Sequence, residues 1–358
     1  MDQRFGNHPY KIKRYRQFWQ MDPVDRPLVG FSYKTWFPLT EFEASRKWLA
    51  YRYLTPDRIV PENFMADQIR LLQEGEHIPD DIIRGASPSQ AVDWIPGMLG
   101  NKIRILPEST LGEERVLPWD QLDRLRLDKE NNWFMVYLSF IRTLVTQARG
   151  AFPVSAPPLY GPSDIAGTLR GHSQSIYDLI DEPERSRHLL WQVADLFLEI
   201  IHASAALIPR YQGGCFDAQY QLWSPGPIVR LQEDATSLYS PERYREFLQP
   251  IDRYIASQFE CCMIHLHSSS MFLLDDFLDI HEISCFQVNN DVSGPPVSQM
   301  IPYFRKIQKA GKPLLIRGSF SPDELRALMG ALDPRGLYLY IMVGSRQEIE
   351  TSLPIVGL

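Results

Sequence analysis

Two histidines one residue apart, His265 and His267, close the run Cys261-Cys262-Met263-Ile264-His265-Leu266-His267, and three serines follow. The run reads as a short strand. Side chains two apart on a strand share a face. Met263, His265 and His267 therefore point one way, and Cys262, Ile264 and Leu266 the other. Paired imidazoles at a strand's end suit metal binding or proton transfer. The plainer alternative is a pair of histidines hydrogen-bonded beside a surface loop.

Other polar residues show the same parity. Cys215, Asp217, Gln219 and Gln221 share one face of a strand at 215–221, opposite Phe216, Ala218 and Tyr220. Gln287, Asn289 and Asp291 share a face opposite Phe286 and Val288. Arg317 opposes Ile316 on the strand at 313–317. A polar stripe inside a sheet protein calls for a polar ligand or a metal, the alternative being hydrogen bonding among buried amides. Asp164, Asp217 and His267 are the candidates for acid–base work. Gln219, Gln287, Asn289 and Arg317 are the candidates for holding substrate. Two histidines and a carboxylate suit zinc or another transition metal. Asp164 follows a strand and opens a helical stretch, so helix capping is its alternative role. Glu233 and Asp234 belong to the same candidate constellation, the alternative being that they are solvated, as carboxylates in a loop ordinarily are.

These residues need elements to position them. Residues 8–22 form an opening helix, and Leu28–Tyr33 a buried strand after Pro27. Residues 40–76 are helical in pattern, with breaks at Pro56 and Pro61, and Asp81–Ile83 is a short strand. Lys102–Leu106 and Glu114–Leu117 make a hairpin excursion, and 128–149 a long helix. From residue 152 onward strands and helices alternate. Strands at 152–155, 215–221, 261–267, 284–289, 313–317 and 337–343 are separated by helices, two of which open with Ser240-Pro241 and with Ser321-Pro322-Asp323-Glu324. Such alternation means parallel strands with crossover helices. About eight strands at this length favour a closed (β/α)8 TIM barrel, with its site at the carboxyl ends of the strands. No glycine-rich phosphate loop follows an early strand, which argues against an open dinucleotide-binding sheet. The expectation is one α/β domain over 1–358, with 1–26 as an N-terminal helical extension.

A net charge of −7 leaves no electrostatic footprint for nucleic acid. No apolar run approaches the roughly 20 residues that span a bilayer, so no membrane partner is expected. Residues 1–20 lack an apolar signal core, and the expected compartment is the cytoplasm. Four cysteines occur, none in a C-x-x-C pair, so a zinc ribbon or redox motif is not expected. A homodimer is compatible with the sequence.

Several segments, in order, resemble the uroporphyrinogen decarboxylase superfamily. Val24-Asp25-Arg26-Pro27 is similar to the opening before its first strand. Gly161-Pro162-Ser163-Asp164-Ile165-Ala166 with Arg170-Gly171, and Ser240-Pro241-Glu242 through Phe247 and Pro250, are similar to two of its helix starts. Arg317-Gly318-Ser319-Phe320-Ser321-Pro322 is similar to its turn after the seventh strand, and His265-Leu266-His267 lies where its zinc-dependent corrinoid methyltransferases carry His-X-Cys. The resemblance implies a (β/α)8 barrel. It further implies a zinc-dependent methyltransferase or demethylase component that acts on a small substrate with a corrinoid methyl carrier held by a partner protein. The alternatives are a uroporphyrinogen decarboxylase-type enzyme of the porphyrin pathway and a non-catalytic small-molecule-binding barrel. Phe31–Trp36 lacks the family's arginine-rich segment, which argues against a substrate bearing many carboxylates. The family's late cysteine is also missing, with Met342-Val343-Gly344-Ser345 in its place. The third metal ligand beside His265 and His267 then falls to a carboxylate, Asp217 or Asp291.

Overall fold

The computed structural model describes residues 4–33 and 39–358. Lys34, Thr35 and Trp36, part of the segment compared with the arginine-rich motif, lie outside the described residues. In chain order the strands are β1 (Leu28–Ser32), β2 (Tyr53–Leu54), β3 (Ile103–Ile105), β4 (Thr110–Gly112), β5 (Cys215–Asp217), β6 (Leu222–Ser224), β7 (Ile228–Gln232), β8 (Cys261–Leu266), β9 (Cys285–Asn289), β10 (Leu314–Gly318) and β11 (Leu337–Met342). The core of the fold is a six-stranded parallel sheet in the order β1-β11-β10-β9-β8-β7, surrounded by helices.

Period-2 alternation divides the sheet residues between two apolar cores. Val29, Leu231, Ile264, Val288, Ile316 and Leu339 belong to the larger core, shared with helices such as Asn132–Ala148 and Pro183–Ala205. Leu28, Met263, Cys285, Leu315, Tyr338 and Tyr340 belong to a second core. The opening helix, Tyr10–Gln20, contributes Ile12, Tyr15 and Phe18 to this second core. Hydrogen bonds pin that helix, among them Lys11 Nζ to the Ile82 carbonyl at 2.9 Å and Trp19 Nε1 to the Trp223 carbonyl at 2.7 Å.

Between the edge strands β1 and β7 the chain places backbone contacts rather than long ladders. The Asp81 amide donates to the Val29 carbonyl at 2.9 Å, Ala86 pairs with Val154 in a single parallel bridge, and the Gly161 amide donates to the Gln232 carbonyl at 2.9 Å. The strands expected at 81–83 and 152–155 are thus reduced to these contacts.

Two expectations are corrected. The segment 215–221 is not a strand of the sheet. It is the first half of a hairpin: β5 pairs antiparallel with β6, Cys215 opposite Ser224, and Gln221 turns the chain with φ 48°. The hairpin drives Ala218, Tyr220, Leu222 and Trp223 into the second core. The sheet strand is β7, which follows Pro227 and pairs with β8. The excursion near residue 100 is larger than a hairpin, because β2 adds to β3 and β4 in a three-stranded antiparallel sheet. Its expected second arm, 114–117, instead bonds the Thr168 and Leu169 carbonyls through Arg115 and Leu117.

Helix starts carry the local signals. Ser321 and Glu324 form a reciprocal capping box, and the Ser240 hydroxyl accepts from the Arg243 amide. Among the described residues no helix is long and apolar enough to cross a membrane.

Candidate metal centre

His265 is the fifth residue of β8, and His267 follows just beyond its end. The parallel register sets Gln232 of β7 and Gln287 of β9 level with His265, and Arg317 of β10 level with Asn289. A polar row therefore crosses the carboxyl end of the sheet. The two imidazoles stand nearly perpendicular, at 79°, with ring centres 4.7 Å apart. Their Nε2 atoms are 3.1 Å apart.

Partners assign the tautomers. The Gln287 amide is oriented by its Nε2, which donates to Asn289 Oδ1 at 3.0 Å, so its Oε1 faces His265 Nδ1. Nδ1 of His265 therefore carries the proton. Tyr220, rising from the hairpin, brings its hydroxyl to the same nitrogen at 2.8 Å. Nδ1 of His267 donates to Asp291 Oδ1 at 2.7 Å. Asp291 is itself held by the Ser268 amide and hydroxyl, 3.0 and 2.9 Å from Oδ2. With both Nδ1 atoms protonated, neutral rings present both Nε2 lone pairs toward each other.

A third acceptor joins them. Asp234 Oδ1 lies 4.0 Å from His265 Nε2 and 3.9 Å from His267 Nε2. Gln232 Nε2 holds the other oxygen, Oδ2, at 2.9 Å. Among the described residues Asp234, His265 and His267 form a group whose ligand atoms all lie within 4.8 Å of one another. Zinc–ligand bonds of about 2 Å in a tetrahedron set donor atoms roughly 3.3 Å apart. The three separations of 3.1, 3.9 and 4.0 Å are near that span.

Electrostatics divides the two histidines. Burial pushes His265 down to about 4, against the opposing pull of Asp234. The hydrogen bond to Asp291 raises His267, with burial opposing and Asp234 assisting. Burial would raise Asp291, but hydrogen bonds from His267 and Ser268 outweigh it and bring the carboxyl to about 2.

The residues singled out in the sequence fall into three places. Gln219, Asn289 and Arg317 line a cavity of about 380 Å³ together with both histidines, Gln232, Asp93 and Tyr160. Gln287 sits behind, fully buried, and orients His265. Asp291 backs His267 Nδ1, so it is no member of the converging group, and the carboxylate that converges is Asp234. Asp164 turns away from the cavity's chemistry. Its two oxygens accept the backbone amides of Asp234 and Ala235 at 2.9 and 3.0 Å, which fixes the segment that carries Asp234. Burial and then the Asp234 charge push the Asp164 acid well up. Asp217 lies in a different cavity, beside Arg230. Glu233 is buried, and its carboxyl accepts the Ser163 amide at 2.8 Å.

Sequence reasoning left out Tyr220, Gln232, Asp93 and Tyr160. Gln232 was findable, since its level with His265 follows once β7 is recognised. Asp93 accepts the Gly112 amide at 2.6 Å, and burial raises its acid to about 6, against that bond and one to Tyr160.

No protein-family model and no curated protein sequence matches the chain. Among solved structures it is similar to a methyltransferase from Methanosarcina mazei, with a TM-score of 0.62 over 97% of this chain and 98% of that one. Sequence identity is 14%, so the likeness is one of fold.

Proposed function

We propose that this chain is a metal-dependent methyl-transfer enzyme of the uroporphyrinogen decarboxylase-like kind, with zinc held by His265, His267 and Asp234. One observation carries the reading. Two imidazole Nε2 atoms and a carboxylate oxygen converge, and in the neutral tautomers favoured by Gln287 and Asp291 all three are acceptors, an arrangement that suits a cation. Both imidazoles are braced through Nδ1, one by a carboxylate and one by an amide oxygen, as metal-ligating histidines commonly are. Two histidines and one carboxylate leave a fourth position for a substrate. The six-stranded sheet, with segments near Ala86 and Val154 between its edges, supports a (β/α)8 barrel, and the likeness to a methyltransferase fold agrees with it.

When bound, zinc lowers the pKa of a coordinated thiol or water and so makes it a nucleophile near neutral pH. The chain's own residues do the rest. Asp291 and Gln287 hold the imidazoles in the ligating tautomer. Gln219, Asn289 and Arg317 line the cavity and orient a small polar acceptor. A corrinoid carried by a partner protein is the proposed methyl donor.

The test is elemental analysis of protein purified without chelators, followed by zinc titration and assay with methylcobalamin and small thiols. One equivalent of zinc, lost in His267→Ala and Asp234→Ala, is the expected result. Protein that carries no metal and takes up none when zinc is supplied would reassign the histidines to substrate hydrogen bonding and favour a decarboxylase-like enzyme.

A further inference from the structure

The cavity in front of the histidines has a second charged wall. Asp93 stands there, just before the short helix Trp94–Met98, and the antiparallel excursion holds it in place. Its amide donates to the Thr110 hydroxyl at 3.0 Å, and its Oδ2 accepts the Gly112 amide at 2.6 Å. Strand β4 thus fixes one carboxylate oxygen. The other, Oδ1, accepts no backbone amide and is open to the cavity.

Among the described residues no lysine, arginine or histidine pairs with Asp93. The Tyr160 hydroxyl is its polar neighbour, and Val92, Pro96 and Pro158 are in the same lining. Arg317 lines the cavity too, but its charge bears on Tyr220 and Tyr340 and not on Asp93. Burial raises the Asp93 acid to about 6, so near neutral pH the group is ionised, and a bound cation would hold it so. Tyr160 lies in the fields of both Asp93 and Asp234, so the two walls belong to one site. A half-buried carboxylate with an open oxygen and no cation suits a ligand that brings one.

We propose that the small acceptor of this site is an aminothiol. Its protonated amine binds Asp93 Oδ1 and the Tyr160 hydroxyl, and its sulfur lies at the histidines. The inference rests on the histidine cavity being the acceptor site. A volume of about 380 Å³ is ample for such a molecule.

Titration calorimetry at pH 8 tests the assignment in two forms of the protein. With chelator-stripped protein, n-propylammonium is expected to bind at least about tenfold more tightly than 1-propanol, because only the cation gains charge-assisted hydrogen bonds. Asp93→Asn keeps an oxygen for the Gly112 amide and is expected to erase that preference. Ser109 lines the cavity next to Thr110, and Ser109→Trp is expected to block the amine. If Asp93→Asn does not fold, Ser109→Trp decides. With zinc-loaded protein, 2-aminoethanethiol is expected to outbind 2-mercaptoethanol by a similar factor, and Asp93→Asn to remove the difference. Failure of the zinc reading would abolish thiol binding and leave the propylammonium result standing. Equal affinity for propylammonium and propanol, a preference that survives Asp93→Asn, or unchanged amine binding in Ser109→Trp would each overturn the proposal.

Discussion

Asp291→Asn is the sharpest test of the histidine pair. Asp291 uses Oδ1 for the His267 Nδ1 proton and Oδ2 for two donors of Ser268. Asparagine has one acceptor oxygen, and the two Ser268 donors claim it. The new amide NH2 then faces His267 Nδ1, and two donors cannot share that contact. The proton of His267 moves to Nε2, the nitrogen that faces Asp234 and His265. Removing such a support costs about 10–100-fold in metal affinity. That is roughly 1.4–2.8 kcal/mol. Competition with a chromophoric chelator near neutral pH reads the loss directly, and circular dichroism checks that the variant folds. A folded variant within about twofold of wild-type zinc affinity would refute the tautomer argument. The same substitution removes the largest influence raising His267, so in metal-free protein its titration by NMR should shift downward.

Four other outcomes follow. Metal-free protein should be most stable between about pH 4 and 6.5 as far as this pair is concerned: Asp291, depressed from 3.8 to about 2, loses its contribution as pH falls, and His267, raised from 6.5, loses its own as pH rises. Bound zinc should reverse the upper limb, since affinity grows as imidazoles lose protons, and denaturant melts across pH with and without zinc would show it. Asp252, raised by burial from 3.8 to about 7 despite the Tyr244 hydroxyl, should withdraw on the order of 2–4 kcal/mol of stability as pH climbs through that interval; Asp252→Asn should flatten that slope in urea titrations. Gly161→Ala places a Cβ against the Gln232 carbonyl and the Glu233 carboxyl, and should cost about 1–3 kcal/mol in thermal unfolding. Tyr220→Phe removes the hydroxyl 2.8 Å from His265 Nδ1 while Gln287 Oε1 remains, so zinc affinity in the chelator assay should fall by less than about tenfold.

Much of this arrangement was legible from parity. Residues two apart share a face, and that placed His265 with His267 and Gln287 with Asn289 before any coordinates. Parity says nothing about distance, however. It could not tell that Asp291 stops behind His267 while Asp234 reaches the front. Asp234 owes its position to Asp164, seventy residues earlier, which caps the Asp234 and Ala235 amides. No local pattern encodes such a bond. The hairpin misled for a physical reason. Cys215–Gln221 alternates like a half-buried strand because it is half-buried, but in the second core rather than in the sheet. The true strand, β7, was hidden by its flanking Pro225-Gly226-Pro227 and the charge of Arg230 in its middle.

The hairpin also sets a timetable for synthesis. Tyr15 donates to the Gln221 carbonyl across 206 residues, and Tyr338 to the Tyr220 carbonyl across 118. At a translation rate of about 5–20 residues per second, the opening helix waits roughly 10–40 s for the hairpin it docks against. During that interval Ile12, Tyr15 and Phe18 can meet only the early part of their core, Leu28, Ile82 and Ile83. Contacts of such separation close slowly. Tyr220 cannot be locked until β11 delivers Tyr338, so the brace on His265 is completed only after nearly the whole polypeptide has left the ribosome. A nascent chain stalled before residue 338 would hold both histidines and still lack that final lock.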